Sequence, residues 1–395
     1  MLYNYSEVRQ VHLEVTDLCN ASCPMCPRNI SGGEDNPLLS KSQLSLNDIK
    51  IIFKQEFIRQ LDSIFMCGNY GDAITAKDTK EIFSYFYQSN SKIKLSLHTN
   101  GGARTPEWWS ELPIAMGKNH DVIFGIDGLE DTNHIYRQGV NWNKLIANVQ
   151  EFIKYGGNAS WEFLVFEHNE HQVEEAEKLS KKIGFKRFRV KKSSRFIFSR
   201  ASGIQAYNKS GQKTNIIKPP KNEKYLNSAA KDLNLEIAKN LKNHIHIMDN
   251  GGKFETIKSS VRPQNKEHFN HMWDTIMTRD SAEISCRVSK NSSAWGSGSI
   301  FVSSKGYILP CCWIGAEMYN IWHGEKGSQI WDLINEIGLI SLDAKINDLE
   351  TIINGKFFQE LVPNSWNKKS CAEGKLLVCA RTCDKNYNVH GNQWN

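Results

Sequence analysis

The stretch LEVTDLCNASCPMCPRN, residues 13–29, sets three thiols, Cys19, Cys23 and Cys26, within eight positions directly after a short apolar run. Thiols this close together in one loop suit metal chemistry, because a thiolate is a ligand for zinc and for iron–sulfur clusters. Two readings compete. Structural zinc wants four ligands, usually in two knuckle pairs, and no fourth Cys or His lies close by in the sequence. A four-iron cubane held by three thiolates instead leaves one iron open, much as a catalytic metal keeps a position for its substrate. Of the other cysteines, Cys67 stands alone, whereas Cys286, Cys311, Cys312, Cys371, Cys379 and Cys383 all fall in the last third. Two separated groups point to two sites.

Ten cysteines in 395 residues would be a disulfide framework only in an oxidising compartment. The start, MLYNYSEVRQVHLEV, lacks the basic-then-apolar pattern of a signal peptide. No apolar run reaches the roughly 18 residues of a membrane span. The expectation is therefore a cytoplasmic protein with reduced thiols and no membrane partner. A net charge of +6 spread over this length permits an acidic or phosphate-bearing partner without arguing for one.

The elements that must position the first thiols alternate. Val11–Val15, Ser63–Cys67, Ile93–His98, Val122–Ile126, Ser160–Phe166 and Arg187–Val190 read as strands; Leu46–Leu61 (capped by Ser45), Lys77–Gln88, Trp108–Met116, Trp142–Lys154 and Val173–Ile183 read as helices. Such a β/α alternation of about six units predicts parallel strands with a site at their carboxyl ends. From about Phe198 to Ile284 the pattern decays into Lys, Asn and Ser, with only a helix over 229–241 and a strand near 244–248 assigned. Beyond it, Ser299–Ser303 and Tyr307–Leu309 predict a hairpin leading into Cys311. Several features get a plain structural reading: Trp108 and Trp109 as packing, Cys67 as a buried thiol, His168 and His171 as no metal site, and the basic run 178–192 as a solvated helix face and strand end.

In their order and spacing, Cys19, Cys23 and Cys26 resemble the signature of the radical SAM enzymes. The resemblance implies a 4Fe–4S cluster whose open iron is chelated by S-adenosylmethionine (SAM), reductive cleavage to a 5'-deoxyadenosyl radical, and hydrogen abstraction from a substrate. Met25 stands where an aromatic residue commonly packs on the adenine, and a polarizable thioether can fill that role. MCGNYGDA is similar to the family's Gly-Gly-Glu loop and places Gly71 and Asp72 at the SAM amino group; HTNGG is similar to its Thr-Asn-Gly segment and gives Thr99 and Asn100. FGIDGLEDTNHIYRQG is similar to a Ser-Ile-Asp-Gly stretch followed by arginine, with Gly125 in place of the serine, and gives Asp127 and Arg137, the latter suited to the methionyl carboxylate.

The late cysteines resemble the SPASM or Twitch extensions of the same superfamily. Two fully ligated four-iron clusters need eight thiolates and six are present, so the resemblance implies one auxiliary 4Fe–4S cluster on Cys286, Cys311, Cys379 and Cys383, with Cys371 as the alternative for either late ligand and Cys312 spare. The expected architecture is α/β: a partial (β/α)6 TIM-like barrel over 1–195, a connecting segment over 196–284, partly ordered, and a small α+β iron–sulfur cluster domain over 285–395. The implied activity is that of an oxidoreductase-like radical SAM enzyme acting on a small molecule or peptide, with an electron donor such as flavodoxin or ferredoxin; no catalytic side chain is singled out. Cys19 lies too near the start for a preceding peptide-recognition domain, which favours a small molecule or a peptide held by the connecting segment. The alternative is a zinc-stabilised nucleic-acid-binding protein using the basic run, which lacks the aromatic interleaving and concentrated charge of such a surface.

Overall fold

The computed structural model describes residues 2–196, 202–228, 280–289, 298–321 and 328–385. Six strands, β1 (Gln10–Leu13), β2 (Ser63–Met66), β3 (Lys94–Thr99), β4 (His120–Gly125), β5 (Ala159–Leu164) and β6 (Arg187–Lys191), lie side by side in chain order and pair parallel throughout. Helices α1 (Leu46–Ile52), α2 (Gln55–Gln60), α3 (Thr79–Ser89), α4 (Pro106–Met116), α5 (Asn133–Tyr136), α6 (Trp142–Lys154) and α7 (Val173–Ile183) fill the connections. This is the open (β/α)6 arrangement that the alternating pattern predicts.

Local chemistry accounts for the helix ends. Ser45 and Asp48 form a reciprocal capping box at α1, and the Asn141 side chain accepts the Lys144 N–H at the start of α6. The single helix expected over 46–61 breaks at Phe53, which is extended and fully buried against Phe57 and Phe86. Burying that ring, worth about 2–3 kcal/mol, outweighs continuing the helix through it.

Strand alternation gives the sheet two unlike faces. Leu13, Ile64, Leu97, Phe124 and Trp161 belong to the core, where Phe124 meets Trp109 of α4 and Phe152 of α6. Trp109 is completely buried there, as its packing reading expects. The opposite face carries His12, Ser96, His98, Asp121, Ser160, Glu162, Arg187, Arg189 and Lys191 among the apolar Phe65, Ile123 and Leu164, where a closed (β/α)8 barrel would be filled by branched apolar side chains. The inner face is therefore rich in polar and charged groups.

The last third does not fold apart from this sheet. The predicted hairpin forms, as β9 (Ser299–Val302) and β10 (Ile308–Leu309), after a two-stranded antiparallel sheet β7 (Ile204–Tyr207) and β8 (Lys213–Ile217). Unexpectedly, β9 pairs parallel with β1, so the large sheet runs β10-β9-β1-β2-β3-β4-β5-β6. Helices α8 (Cys312–Glu317), α9 (Ile330–Ile337), α10 (Leu349–Ile353), α11 (Val362–Trp366) and α12 (Leu377–Thr382) follow. The β7–β8 hairpin corrects the patternless reading of the middle segment: its turn is carried by Asn208, whose side chain accepts the Ser210 and Gln212 N–H groups. The helix expected over 229–241 and the strand near 244–248 lie outside the described residues.

Candidate active site

The cysteine loop leaves β1 at the carboxyl edge of the sheet and is held by backbone and side-chain bonds on all sides. The Cys26 N–H closes a turn on the Cys23 carbonyl (2.9 Å), the Ser22 N–H donates to Gln138 O (2.9 Å), and Arg28 donates to Asp17 O (3.3 Å) while paired with Asp35 (3.0 Å). Cys19 Sγ accepts the Ala21 N–H at 3.3 Å and lies 3.6 Å from Asn100 Nδ2. Burial pushes the Cys19 thiol up, and Asp72, Cys23 and Cys26 push the same way; burial also raises Cys23, to about 11, against the pull of Arg137. Cys19 and Cys23 are each raised in part by the neighbouring thiols of the loop, and a cationic group among them is what would let them ionise.

The residues expected around SAM converge on this loop, though most of them face one another. Asp72 is buried, and its Oδ2 accepts from Thr99 Oγ1 (3.0 Å), the Asn100 N–H (2.8 Å) and Asn100 Nδ2 (2.8 Å). Asn100 in turn bonds Asn20 (3.0 Å). Asp72, Thr99 and Asn100 thus lock the ends of β2 and β3 to the cysteine loop. Asp127, wholly buried, pairs with Arg137 Nε at 2.6 Å and accepts the Leu164 N–H at 2.8 Å, so it aims the guanidinium with one oxygen and anchors to β5 with the other. Burial raises the Asp127 carboxyl, and Arg137 opposes that rise. The far side of Arg137 reaches the loop, with Nη1 3.9 Å from Cys23 Sγ. Gly125 permits this: a Cβ there would sit 2.4 Å from Arg137 Nη2. Gly71 serves close packing on the cysteine strand, since its Cβ would meet Thr16 O at 1.8 Å. The Met25 side chain is buried in the core cluster.

One residue that the motifs did not mark stands beside them. Glu14, two positions past His12 on the inner face, accepts the N–H groups of Tyr70 (2.7 Å) and Gly71 (3.2 Å), and burial pushes its carboxyl up to about 8. The signal was available in the alternation of HLEV, which turns His12 and Glu14 inward together.

The second group assembles equally plainly. Cys286, Cys311, Cys379 and Cys383 line a single recess with Trp313, Ile314, Val362 and Trp366. Cys379 and Cys383 lie one turn apart at α12, Cys311 caps α8, and the Ser285 N–H donates to Cys383 O (2.7 Å). Cys286 donates to Cys383 and, with Arg287, holds that thiol below the usual range; burial raises Cys311 to about 12 against the N–H groups of Ile314 and Trp313. The Trp366 indole N–H, buried without a well-formed hydrogen bond, lies beside Cys379. Four thiols, apolar walls and an indole donor beside one of the thiols fit a four-thiolate cluster with sulfide acceptors. Cys371 is elsewhere, beside Asp280 and Lys375, and Cys312 is electrostatically close to Cys311, Cys67 and Glu14. Among the described residues, no three His, Cys, Asp or Glu side chains are drawn together as they would be around a single metal ion.

Two plain readings gain detail. The β6 part of the basic run is half-exposed, as a solvated strand end should be, and its cations are also paired: Arg187 with Asp121 (2.5 Å), and Arg189 and Lys191 with Glu162 (2.7 and 3.6 Å) on the inner face. Its α7 portion is a solvated face, with Lys181 on Glu177 (2.8 Å). His168 stacks on Phe166 with both ring nitrogens buried and unpartnered, and burial lowers it to about 4.

Fold and site together define an open α/β barrel with a thiol loop at its carboxyl mouth and a second thiol recess on the segment that extends the sheet. No family model matches the chain. Among solved structures it is similar to Streptococcus suis SuiB bound to the precursor peptide SuiA, at 15% identity over 94% of this chain and 70% of that one, with a TM-score of 0.48. It is likewise similar to native anSMEcpe with bound AdoMet, at 14% identity over 96% and 93%, with a TM-score of 0.49. A weaker likeness joins it to the radical S-adenosylmethionine methyltransferase TsrM from Kitasatospora setae, at 11% identity over 46% and 36%, with a TM-score of 0.35. Among the described residues no helix is long and apolar enough to cross a membrane.

Proposed function

We propose that the chain is a radical SAM enzyme that holds one 4Fe–4S cluster on Cys19, Cys23 and Cys26 and an auxiliary 4Fe–4S cluster on Cys286, Cys311, Cys379 and Cys383, and that it oxidises a small molecule or peptide. The observation that carries this reading is the convergence of the ends of β2, β3 and β4 on the three-thiol loop, with Arg137 aimed at Cys23 by Asp127. When bound, the open-iron cluster supplies the electron that cleaves SAM to a 5'-deoxyadenosyl radical, and the four-thiolate cluster supplies a sink for the electron released by substrate oxidation. Arg137 offers a fixed charged fork to the methionyl carboxylate. Asp72, Thr99 and Asn100 keep the mouth rigid around it, and Met25 closes the loop from the core side. A low-potential donor such as flavodoxin or ferredoxin would supply the reducing electron.

The test is direct. Anaerobically purified protein should be brown, and SAM with dithionite should give 5'-deoxyadenosine. The triple substitution of Cys19, Cys23 and Cys26 by Ala should remove that product and leave the protein folded and coloured by the auxiliary cluster. A colourless, zinc-loaded protein, or undiminished 5'-deoxyadenosine from the triple variant, sinks the assignment.

A further inference from the structure

The hairpin that follows β6 presents an open strand edge beside the cysteine loop. Among the described residues β7 and β8 pair only with each other, with a bulge between Gln205 and Tyr207. Their outer edges differ. β7 meets the barrel at its last residue, where the Tyr207 N–H donates to Ser31 O (2.9 Å) and a Cβ on Gly32 would lie 2.7 Å from Tyr207 O. β8 meets solvent: Lys213, Thr214, Asn215 and Ile216 are exposed, Ile216 at 53%. Among the described residues, the hydrogen bonds to their backbone come from β7, two of them from the Gln205 side-chain amide on Thr214 O and Asn215 O (3.3 and 3.5 Å).

An exposed row of backbone N–H and C=O groups is a template for another extended chain, and proteins ordinarily blunt it with charge, proline or a covering element. Here Lys213 stands at one end and Pro219 and Pro220 follow the other, so the row is confined to the five residues of β8. Thr214, Asn215 and Ile216 between them carry no charge. The same strand is tied to the thiol site. Thr214 Oγ1 accepts Gln138 Nε2 at 3.4 Å, and the Gln138 carbonyl accepts the Ser22 N–H at 2.9 Å, so one residue spans from β8 to the cysteine loop. Lys209, in the hairpin turn, pairs with Asp35, which also holds Arg28 at the base of that loop.

We propose that β8 receives an extended segment of a peptide substrate as a third strand, holding it by its backbone while a neighbouring residue of the same peptide enters the barrel mouth. The inference rests on the radical SAM reading for its meaning, because that reading makes the mouth the place of hydrogen abstraction. Backbone pairing supplies affinity with little demand on sequence, and Ile216 adds an apolar contact on one face. A small molecule has no row of amides to offer. A second copy of the chain suits the edge less well. Five residues of strand span only about 17 Å, and one strand laid there buries far less than the ~1,200 Å² of a stable interface. A peptide held also at its reacting residue needs no more than that.

The experiment incubates the anaerobically reconstituted full-length chain with a pool of acetylated, amidated dodecapeptides randomised at every position, and sequences those retained. The tightest is then remade with N-methyl groups on its odd or on its even residues. One series should lose binding by about tenfold or more and the other should keep it, because only alternate N–H groups of a strand face its neighbour. Ile216→Lys, a charge on the open edge, should weaken the unmethylated peptide by about tenfold. Bound peptide should also slow amide exchange at those positions of 213–217 that β7 leaves open. No retained peptide, equal loss from both N-methyl series, or binding that survives Ile216→Lys overturns the proposal. So does protection of every amide of 213–217 in the peptide-free chain: in a monomer the chain would be covering its own edge, and in a dimer a second copy would. 5'-Deoxyadenosine formed from SAM in the same preparations reports the radical reading separately, so strand pairing without SAM cleavage would sink that reading and leave this one standing.

Discussion

Glu14 is a carboxyl group whose folded environment favours the protonated form: burial lifts it from an ordinary 4.5 to about 8, only partly opposed by the Tyr70 and Gly71 N–H groups. An acid raised in the folded state contributes stability below its unfolded value and loses it as pH rises through the folded value, here from about 4.5 to about 8. Glu14→Gln keeps the acceptor oxygen and removes the titration, so the variant should gain on the wild type across that window, by roughly 1–3 kcal/mol at pH 8. Urea unfolding at pH 5 and pH 8 measures this; a difference that does not change with pH would place the group outside the buried pocket. Gly125 makes a second prediction. Its Cβ position lies 2.4 Å from Arg137 Nη2, so Gly125→Ser should push the guanidinium off its aim and weaken SAM binding by about tenfold, read by equilibrium dialysis. Unchanged affinity would mean the methionyl carboxylate is held elsewhere. The thiol sites were legible because ligands announce themselves by type and spacing. The ion pairs of Glu162 with Arg189 and Lys191 were not, because a charged residue inside a strand looks like a solvated one until the sheet's second face is known.

At the scale of elements, the loop after β2 couples the two thiol sites mechanically. Asn69 Nδ2 donates to Cys312 O at 2.8 Å and the Tyr70 hydroxyl to Ala316 O at 2.5 Å, while the Tyr70 ring meets Tyr319 edge-on. Tyr70→Phe should keep the ring packing and cost ~1–2 kcal/mol for the buried carbonyl left unpaired. Denaturation midpoints check this, and a neutral change would show that water replaces the hydroxyl. Elements with strong periodicity were readable: α6 and α7 fall on the expected residues, because Leu145, Val149 and Phe152 repeat at helical spacing and Gly184 ends α7 in the left-handed region. The β7–β8 hairpin was unreadable because its strand Lys213–Ile217 is exposed over four of five positions and carries no alternation. The partner of β9 was unreadable for another reason: pairing over so long a separation leaves no local trace.

At the scale of the whole molecule, the first and last thirds share one sheet. Val11 pairs with Ile64 on one side and Ile300 on the other, the Arg9 N–H donates to Gly298 O (2.8 Å), and Gln359 reaches back to Tyr3 O (2.9 Å). A fragment ending before Gly298 would leave β1 as a bare edge and should elute as aggregate on size exclusion, even with the cysteine loop intact; a monodisperse fragment would show the barrel to be self-sufficient. Cys379→Ala with Cys383→Ala in the full chain should roughly halve the iron from about eight to about four atoms and leave uncoupled 5'-deoxyadenosine formation running. Loss of that activity along with the iron would make the second site a scaffold for the first. The shared sheet also sets a clock on synthesis. Ser299–Val302 leaves the ribosome long after Gln10–Leu13, and at about 5–20 residues per second the gap is roughly 15–60 s. Throughout that interval β1 and the cysteine loop that follows it lack their neighbour, so iron delivery to the nascent loop would meet an open, unfinished fold. Pulse-labelled chains should become protease-resistant only once the strand at 299–302 has emerged.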